Sequence, residues 1–530
     1  MKIFYKNGTI LTMNDAQKEA QALWVEDGKI GGVGAEDEIM SAYEEGDKIV
    51  DLEGKTMLPA FIDAHSHFVG AANSLRQCNL SSAKSFADIV SLLKDFIKKN
   101  AIPEGDWVIG CNYDHNFLEE QRHPDRYVLD QVGNYPIVIV HSSSHMGCAN
   151  SLALKAMGLD EHAEDAATGK YGRVEGTDIP NGYMEESVFL DFEQKIPPVS
   201  FEELLNLIVR VQDYYASFGI ATVQDGMVGK PLFQLLNYAA MNNLLKLDVV
   251  GFADIMNSPE LIEENPQYRN VYSNHLKMGG FKIFLDGSPQ GKTAWMSQPY
   301  EGDKEYCGYP MLKDEQLNYY ISRALKDGQQ LLAHCNGDAA SEQYVTEFEK
   351  ASAALDMKDL HRPVMVHAQT VRKDQLERMQ KMGMMPSFFV DHTYYWGDIH
   401  LKNFGPVRGS HISPVKDALN LGMRYTFHQD TPVIAPNMMR TVSSAVNRIS
   451  KSGVVVGADE RIGVWDALKG ITINAAYQYF EENEKGSIEP GKHADFVILG
   501  ANPMTTPHED LASIPVCETI KDGVTIYKKA

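Results

Sequence analysis

The chain has 530 residues, 44% of them hydrophobic and 23% charged, which is typical of a large folded protein with a substantial core. Its 72 acidic residues outnumber its 49 basic residues, and the resulting net charge of -23 argues against a nucleic-acid or anionic-membrane partner. The six cysteines show no CxxC spacing and the first residues include no uninterrupted apolar stretch, so we expect free thiols and a cytoplasmic location.

Both ends of the chain consist of short β-type runs separated by turn signals. Asn7-Gly8 and Asp27-Gly28 divide such runs near the start of the chain, and Asp522-Gly523 does so near its end. These dipeptides are strong hairpin markers. Because short strands need partners, we expect residues 1–56 and 485–530 to form one composite β-sandwich.

The middle of the chain alternates β-type runs with amphipathic helical stretches, which predicts a parallel α/β arrangement. Its eight principal runs are Met57–His65, Gly219–Asp225, Lys246–Phe252, Gly280–Leu285, Gln330–His334, Pro363–His367, Met385–Val390 and Arg424–Asp430. Eight β/α units predict a (β/α)8 TIM-type barrel over residues 57–484, with the active site at the carboxyl ends of the strands. The long gap after the first run predicts an inserted subdomain at about residues 68–200.

Residues that commonly bind metals recur at the predicted ends of these strands. His65 and His67 are two positions apart, so both face the same side of a strand and can bind one divalent ion. The later runs supply further candidates, namely Lys282, His334, His367 and Asp430. Each has an ordinary structural explanation when taken alone, such as a hydrogen-bonded core histidine or a helix N-cap. Together they predict a metal centre at the mouth of the barrel.

Several segments resemble the amidohydrolase superfamily, specifically its amidohydrolase family 3 branch. The similarity covers nearly the whole chain and involves Leu58–His67, His145–Ser151, Lys282–Ser288, His334–Asp338, His367–Gln369, Asp430–Val433 and Gly486–Asp495. The resemblance implies the same barrel with a terminal β-sandwich, and some of these relatives deformylate N-substituted formamides. His428-Gln429 is a departure, because Gly-Ser is common there, and it adds a polar group beside the predicted site.

The resemblance implies two divalent metal ions, with zinc the first choice. His65 and His67 would bind the first ion, and His334 and His367 would bind the second. Lys282 would bridge the ions as a carbamate, which requires a buried amine that has lost its proton. An anionic bridge is needed because two neighbouring cations repel each other. If Lys282 is unmodified, a mononuclear site is the alternative.

The same resemblance implies hydrolysis of a non-peptide C–N bond in an amide, N-substituted formamide, carbamate or cyclic amide. Metal coordination lowers the pKa of bound water towards about 7 and supplies hydroxide at neutral pH. Asp430 would contact the first ion, take the proton from the nucleophile and deliver it to the leaving nitrogen. His145 would either donate to the substrate carbonyl or hold the local structure. From their positions after the seventh and fourth runs, Trp396, Trp295 and Met296 would line an apolar substrate pocket.

Two other functions stay open. One is a mononuclear heterocycle deaminase, although such enzymes generally have a Glu a few residues beyond a strand-end histidine, whereas His334 is followed by Cys-Asn-Gly-Asp. The other is a non-catalytic binding or regulatory protein on the same scaffold, since a fold does not dictate function. We expect a small-molecule amide-type substrate as the partner, and the resemblance implies a homodimer.

Overall fold

The computed structural model describes residues 1–141, 146–159, 163–166, 169–197 and 199–529. The chain divides into two compact units, one formed by Met1–Ala71 with Ile208–Ala530 and the other by Ala72–Leu207. Within the described ranges, no helix combines the length and the apolar character that crossing a bilayer requires.

The strands are short at both ends of the chain and longer in its middle. Before residue 60 they are β1 (Ile3–Lys6), β2 (Thr9–Leu11), β3 (Glu19–Ala20), β4 (Ala22–Glu26), β5 (Lys29–Gly34), β6 (Lys48–Asp51) and β7 (Thr56–Pro59). The next are β8 (Phe61–Ile62), β9 (Gln77–Asn79), β10 (Val108–Tyr113), β11 (Ile137–His141), β12 (Met146–Ala149), β13 (Gly169–Arg173) and β14 (Pro180–Glu186). The remaining strands are β15 (Ile220–Val228), β16 (Asp248–Asp254), β17 (Leu276–Phe284), β18 (Gln330–Cys335), β19 (Val364–His367), β20 (Met385–Phe388), β21 (Thr426–Phe427), β22 (Phe496–Leu499), β23 (Val516–Lys521) and β24 (Val524–Lys528).

The α-helices lie mainly between these strands. Up to residue 216 they are α1 (Glu36–Met40), α2 (Phe68–Ser74), α3 (Phe86–Asn100), α4 (Arg126–Asp130), α5 (Ser151–Ala156), α6 (Ser187–Gln194) and α7 (Phe201–Ala216). The later helices are α8 (Lys230–Met241), α9 (Leu261–Glu264), α10 (Asp314–Lys326), α11 (Asp338–Ala354), α12 (Lys373–Met382), α13 (His392–Ser410), α14 (Val415–Asn420), α15 (Met438–Asn447), α16 (Val464–Gly470) and α17 (Ile473–Gln478).

One parallel sheet of eight strands forms the barrel, in the order β8-β15-β16-β17-β18-β19-β20-β21. Strands that follow one another in this series are neighbours in the sheet, as expected of successive β/α units. The two outer strands meet through backbone hydrogen bonds, since Asp430 N donates to His65 O at 3.3 Å and His67 N donates to Thr431 O at 2.9 Å. The prediction of a TIM-type barrel is confirmed.

The barrel has a packed apolar interior beneath its carboxyl ends. Alternate residues of neighbouring strands point to the same face, and Val250, Phe252, Leu332, Val364 and Val366 accordingly belong to one buried cluster. Full burial of each such side chain stabilises the fold by about 1.5–3 kcal/mol. This core gives the residues at the strand ends a rigid base.

Most predicted runs differ from the observed strands by a few residues at their ends, and two differ in how they pair or in most of their length. The run Met57–His65 is divided at Ala60, whose N–H donates to Asp495 O at 2.9 Å. The part before Ala60, β7, pairs with β22 and β2, whereas the part after it, β8, pairs with β15 in the barrel. The last barrel strand, Thr426–Phe427, is also shorter than predicted, and Asp430 lies beyond its end with a φ of 54°.

Strands from both termini pair with each other. One sheet has the order β24-β23-β22-β7-β2-β3, and a second has the order β5-β4-β1-β6. Tyr5 and Leu23 of the second sheet pack in the same hydrophobic cluster as Ile10, Met57 and Phe496 of the first. The two sheets therefore bury a common apolar face.

The Ala72–Leu207 unit has its own six-stranded sheet, in the order β13-β14-β12-β11-β10-β9. Strands β10 and β11 are parallel neighbours, with Tyr113 opposite His141. Ile137 and Ile139 of β11 pack in one hydrophobic cluster, and Val138 packs in another. This is expected for a strand that is buried on both faces.

Candidate metal centre

The six side chains predicted as metal ligands form one connected group at the carboxyl ends of the barrel strands. Each lies among the last residues of its strand or the few that follow, which is where a barrel opens onto its active face. The group consists of His65, His67, Lys282, His334, His367 and Asp430.

Asp430 lies between the two histidines that follow β8. Its Oδ1 is 3.4 Å from His65 Nε2 and 3.2 Å from His67 Nε2. Two atoms bound tetrahedrally to one zinc ion, each at about 2.0–2.1 Å, are about 3.3 Å apart. The three side chains therefore have the spacing of ligands that share one ion. Two further groups of three candidate ligands occur among the described residues.

Hydrogen bonds at the far side of each ring orient these two imidazoles. His65 Nδ1 lies 2.5 Å from Gln224 Oε1, and His67 Nδ1 lies 2.9 Å from Gly226 O. The Gln224 amide is itself oriented, because its Nε2 donates to Ala64 O at 2.8 Å. Since both acceptors are oxygens, each Nδ1 donates to its oxygen, and each Nε2 faces Asp430.

Charge within the group favours metal binding. Burial lowers the pKa of His65 and of His367 well below 6.5, so both are neutral imidazoles at neutral pH. Burial alone would raise the pKa of Asp430, but its contact with His67 and the nearby His65 outweigh burial and hold that pKa well below 3.8. Neutral imidazole and ionised carboxylate are the forms that bind a cation.

Lys282 is fully buried behind this triangle. Its Nζ lies 3.4 Å from His65 Nε2, and its side chain is 0% exposed. Burial lowers the pKa of Lys282 from 10.5 to about 7, although the charge of Asp430 acts in the opposite direction. A substantial fraction of the amine is therefore unprotonated at neutral pH, which is the form that reacts with carbon dioxide.

His334 and His367 form the other side of the group, with ring centroids 4.5 Å apart. His367 Nε2 lies 3.9 Å from Asp430 Oδ2, and its Nδ1 lies 3.1 Å from His428 Nε2. His428 Nδ1 is in turn 2.8 Å from Ser387 Oγ. This chain of contacts holds His367 from behind and leaves its Nε2 facing the centre. The His428 noted from sequence as an additional polar group thus lies directly behind a predicted ligand.

A buried carboxylate that sequence reasoning did not single out supports His334. Asp286 Oδ1 accepts from Asn336 N at 2.9 Å, and its Oδ2 accepts from Gly337 N at 2.7 Å and Trp295 N at 3.0 Å. Asp286 Oδ1 also lies 3.2 Å from His334 Nδ1. Its position two residues beyond β17 was the available signal, because the ends of barrel strands are where functional side chains gather.

Aromatic rings extend from the centre along the start of α13. The His392 ring is parallel to that of His367, with centroids 6.5 Å apart, and it contacts Phe389 at 4.3 Å and Trp396 at 5.0 Å. Met296, by contrast, packs into a separate buried cluster. The candidate catalytic residue His145 lies outside the described residues.

Comparison with known proteins identifies the family of the chain. The sequence profile of the amidohydrolase family matches residues 48–527. An N-substituted formamide deformylase of Arthrobacter pascens is 26% identical over 99% of this chain and 98% of its own length. Protein LONG AFTER FAR-RED 3 of Arabidopsis thaliana is 27% identical, over 98% of this chain and 91% of its own. The crystal structure of an uncharacterized metal-dependent hydrolase from Pyrococcus horikoshii matches 96% of this chain and 99% of that chain, with a TM-score of 0.77 at 24% identity. The chain belongs to the amidohydrolase family.

Proposed function

We propose that this protein is a metal-dependent hydrolase of a non-peptide C–N bond in an amide, N-substituted formamide, carbamate or cyclic amide. The main supporting observation is the convergence of His65 Nε2, His67 Nε2 and Asp430 Oδ1 at the spacing of shared metal ligands. Family membership and the similarity to an N-substituted formamide deformylase support this choice of reaction.

The donor set fits two divalent ions, with zinc the first choice. We propose that the ligands are His65, His67, His334, His367 and Asp430, with a carboxylated Lys282 between the two ions. The buried amine with its lowered pKa supports the carboxylation, and the carbamate would supply the negative charge that two neighbouring cations need. Bound metal would supply a water of lowered pKa and polarise the substrate carbonyl.

Asp430 is the proposed proton carrier. Its carboxylate is ionised at neutral pH, so it can accept the proton that the attacking water loses as the new C–O bond forms. The same proton then moves to the leaving nitrogen as the C–N bond breaks, and the products are a carboxylic acid and an amine. His145, from the sequence alone, stays a candidate donor to the substrate carbonyl.

We further propose that the preferred substrate carries a hydrophobic group on nitrogen. The rings of Phe389, His392 and Trp396 next to His367 support an apolar or aromatic substituent. A small polar amide would gain less binding energy from apolar burial.

The test is a substrate panel assayed with metal-loaded protein. We expect N-benzylformamide to release formate and benzylamine faster than N-methylformamide releases its products, and Asp430→Asn to abolish most of that turnover. Release of ammonia from guanine or adenosine, with no amide turnover, would instead favour the deaminase alternative. Inactivity on every compound by a protein that binds metal would contradict hydrolysis and favour a binding or regulatory role.

The domain organisation belongs to the same proposal. The shared core of the two terminal sheets supports a composite β-sandwich of residues 1–56 and 485–530. The compact Ala72–Leu207 unit supports an insertion at about residues 68–200 in a hydrolase barrel of residues 57–484. A cytoplasmic location and a homodimer complete the proposal.

A further inference from the structure

A second group of metal-binding side chains lies in the Ala72–Leu207 unit. Strands β10 and β11 are parallel and adjacent, so their carboxyl ends lie side by side. Asp114 and His115 directly follow β10, and His141 is the last residue of β11. These three side chains meet although Asp114 and His141 are far apart in sequence.

The three potential ligand atoms converge on one point. His115 Nδ1 lies 3.3 Å from His141 Nε2, while Asp114 Oδ1 lies 3.5 Å from His141 Nε2 and 3.9 Å from His115 Nδ1. Ligands of one tetrahedral zinc ion are separated by about 3.3 Å. Each histidine directs a single nitrogen to both of its partners, as sharing one ion requires.

The surroundings hold this geometry in place. The rings of His115 and His123 lie 3.9 Å apart, and Tyr113 Oη is 3.0 Å from His123 Nδ1. Asp114 Oδ1 also accepts from Asn116 N and Asn116 Nδ2, each at 2.9 Å, which orients the carboxylate. The His141 side chain is only 8% exposed.

A third group of similar composition, His411, Asp417 and Glu460, does not direct its potential ligand atoms to one point. His411 contacts Asp417 through Nε2 at 3.4 Å and Glu460 through Nδ1 at 3.5 Å, so the two carboxylates lie at opposite ring nitrogens. One ion cannot bind both edges of one ring. Glu460 is buried, and its Oε2 accepts from Lys416 N at 2.8 Å, so this carboxylate already has a structural partner.

We propose that Asp114, His115 and His141 bind one divalent cation of the zinc class, separate in its ligands from the barrel centre. Two imidazoles and a carboxylate favour zinc or a similar transition ion over calcium or magnesium. The ion joins the ends of β10 and β11. Such an ion also stabilises the folded Ala72–Leu207 unit, because its ligands are assembled only on folding.

The test counts metal in the full chain after chelation and reconstitution with Zn²⁺ alone, using elemental mass spectrometry. We expect His115→Gln to contain one equivalent less than the wild type, and to keep hydrolytic turnover if the proposed function is correct. The exposed His508 offers a matched control, and His508→Gln should contain the full complement.

The metal contents of the two centres are distinguished by repeating the zinc measurement in the double variant His67→Gln/His334→Gln. One equivalent should remain there, and adding His115→Gln should remove it whether or not the barrel is catalytic. Asp114→Asn is the second variant, with circular dichroism to verify folding. Zinc contents in folded His115→Gln and Asp114→Asn equal to that of the wild type would overturn the proposal.

Discussion

Replacement of Asp430 by asparagine tests the chemistry with the smallest change in shape. The amide has nearly the volume of the carboxylate but neither its charge nor an oxygen basic enough to accept a proton. The four histidines stay in place, so we expect most of the metal to remain bound. Loss of a general acid–base group costs about 10²–10⁴ in rate, or about 3–5 kcal/mol of transition-state stabilisation.

The structure indicates why the effect falls on turnover. Asp430 Oδ1 lies within 3.4 Å of both His65 Nε2 and His67 Nε2, so this carboxylate would be at hand to accept a proton from a water activated by metal at these histidines. The low pKa of Asp430 keeps it ionised throughout the neutral range. Formate release from N-benzylformamide, measured as kcat and KM with metal content in parallel, provides the assay.

Asp391 supplies the matched control. It is fully buried at the same end of the barrel, and its Oδ2 already accepts from Thr441 Oγ1 at 2.5 Å and its Oδ1 accepts from Ser444. Asp391→Asn should lower stability by about 1–3 kcal/mol and leave kcat within tenfold. A kcat of Asp430→Asn within threefold of the wild type, with metal retained, would refute the role of Asp430.

Three further predictions follow from other contacts. Lys282→Met should lower the zinc content of the barrel centre from two equivalents to one. The wild type reconstituted without carbon dioxide should recover less than a tenth of its activity, and full recovery would argue against the carbamate. His428→Ala should weaken the orientation of His367 and cost about 10–100-fold in metal affinity or activity, measured by zinc competition with a chelator, whereas unchanged affinity would contradict that role. Burial would raise the pKa of Asp248, but Lys485 and Lys521 outweigh burial and hold that pKa well below 3.8. The stability that these ion pairs contribute is therefore present above pH about 4 and is lost as the pH falls through the folded-state pKa of Asp248. Asp248→Asn should therefore destabilise the protein by about 3–5 kcal/mol at pH 7 and by progressively less in urea unfolding below pH 4; a loss independent of pH would contradict the ion pair.

The predictions from sequence were most successful where a metal-binding residue type stands at the end of a short apolar run. His65 and His67 are recognisable because they are two residues apart after an apolar run, and Asp430 because it ends one. The break at Ala60 was not predictable, because apolar residues continue on both sides of it. The break coincides with a hydrogen bond from Ala60 N to the carbonyl of Asp495, which is distant in sequence.

Contacts between distant segments were the main omission. Gln224 and Ser387 show no local signal of function, because each matters only through a histidine on a neighbouring strand. Asp114 and His141 were missed for the same reason, since only the parallel pairing of β10 and β11 brings them together. Lateral strand contacts are a property of the folded barrel and sheet, and short-range patterns do not encode them.

The most direct test of the proposed centre is anomalous diffraction at the zinc edge, from crystals of protein purified without chelator. The account predicts two peaks at the carboxyl ends of the barrel strands, among His65, His67, His334 and His367, with density for a carboxylated Lys282 between them. The absence of any peak there, in crystals of protein that still hydrolyses an amide, would contradict a metal-dependent mechanism at this site.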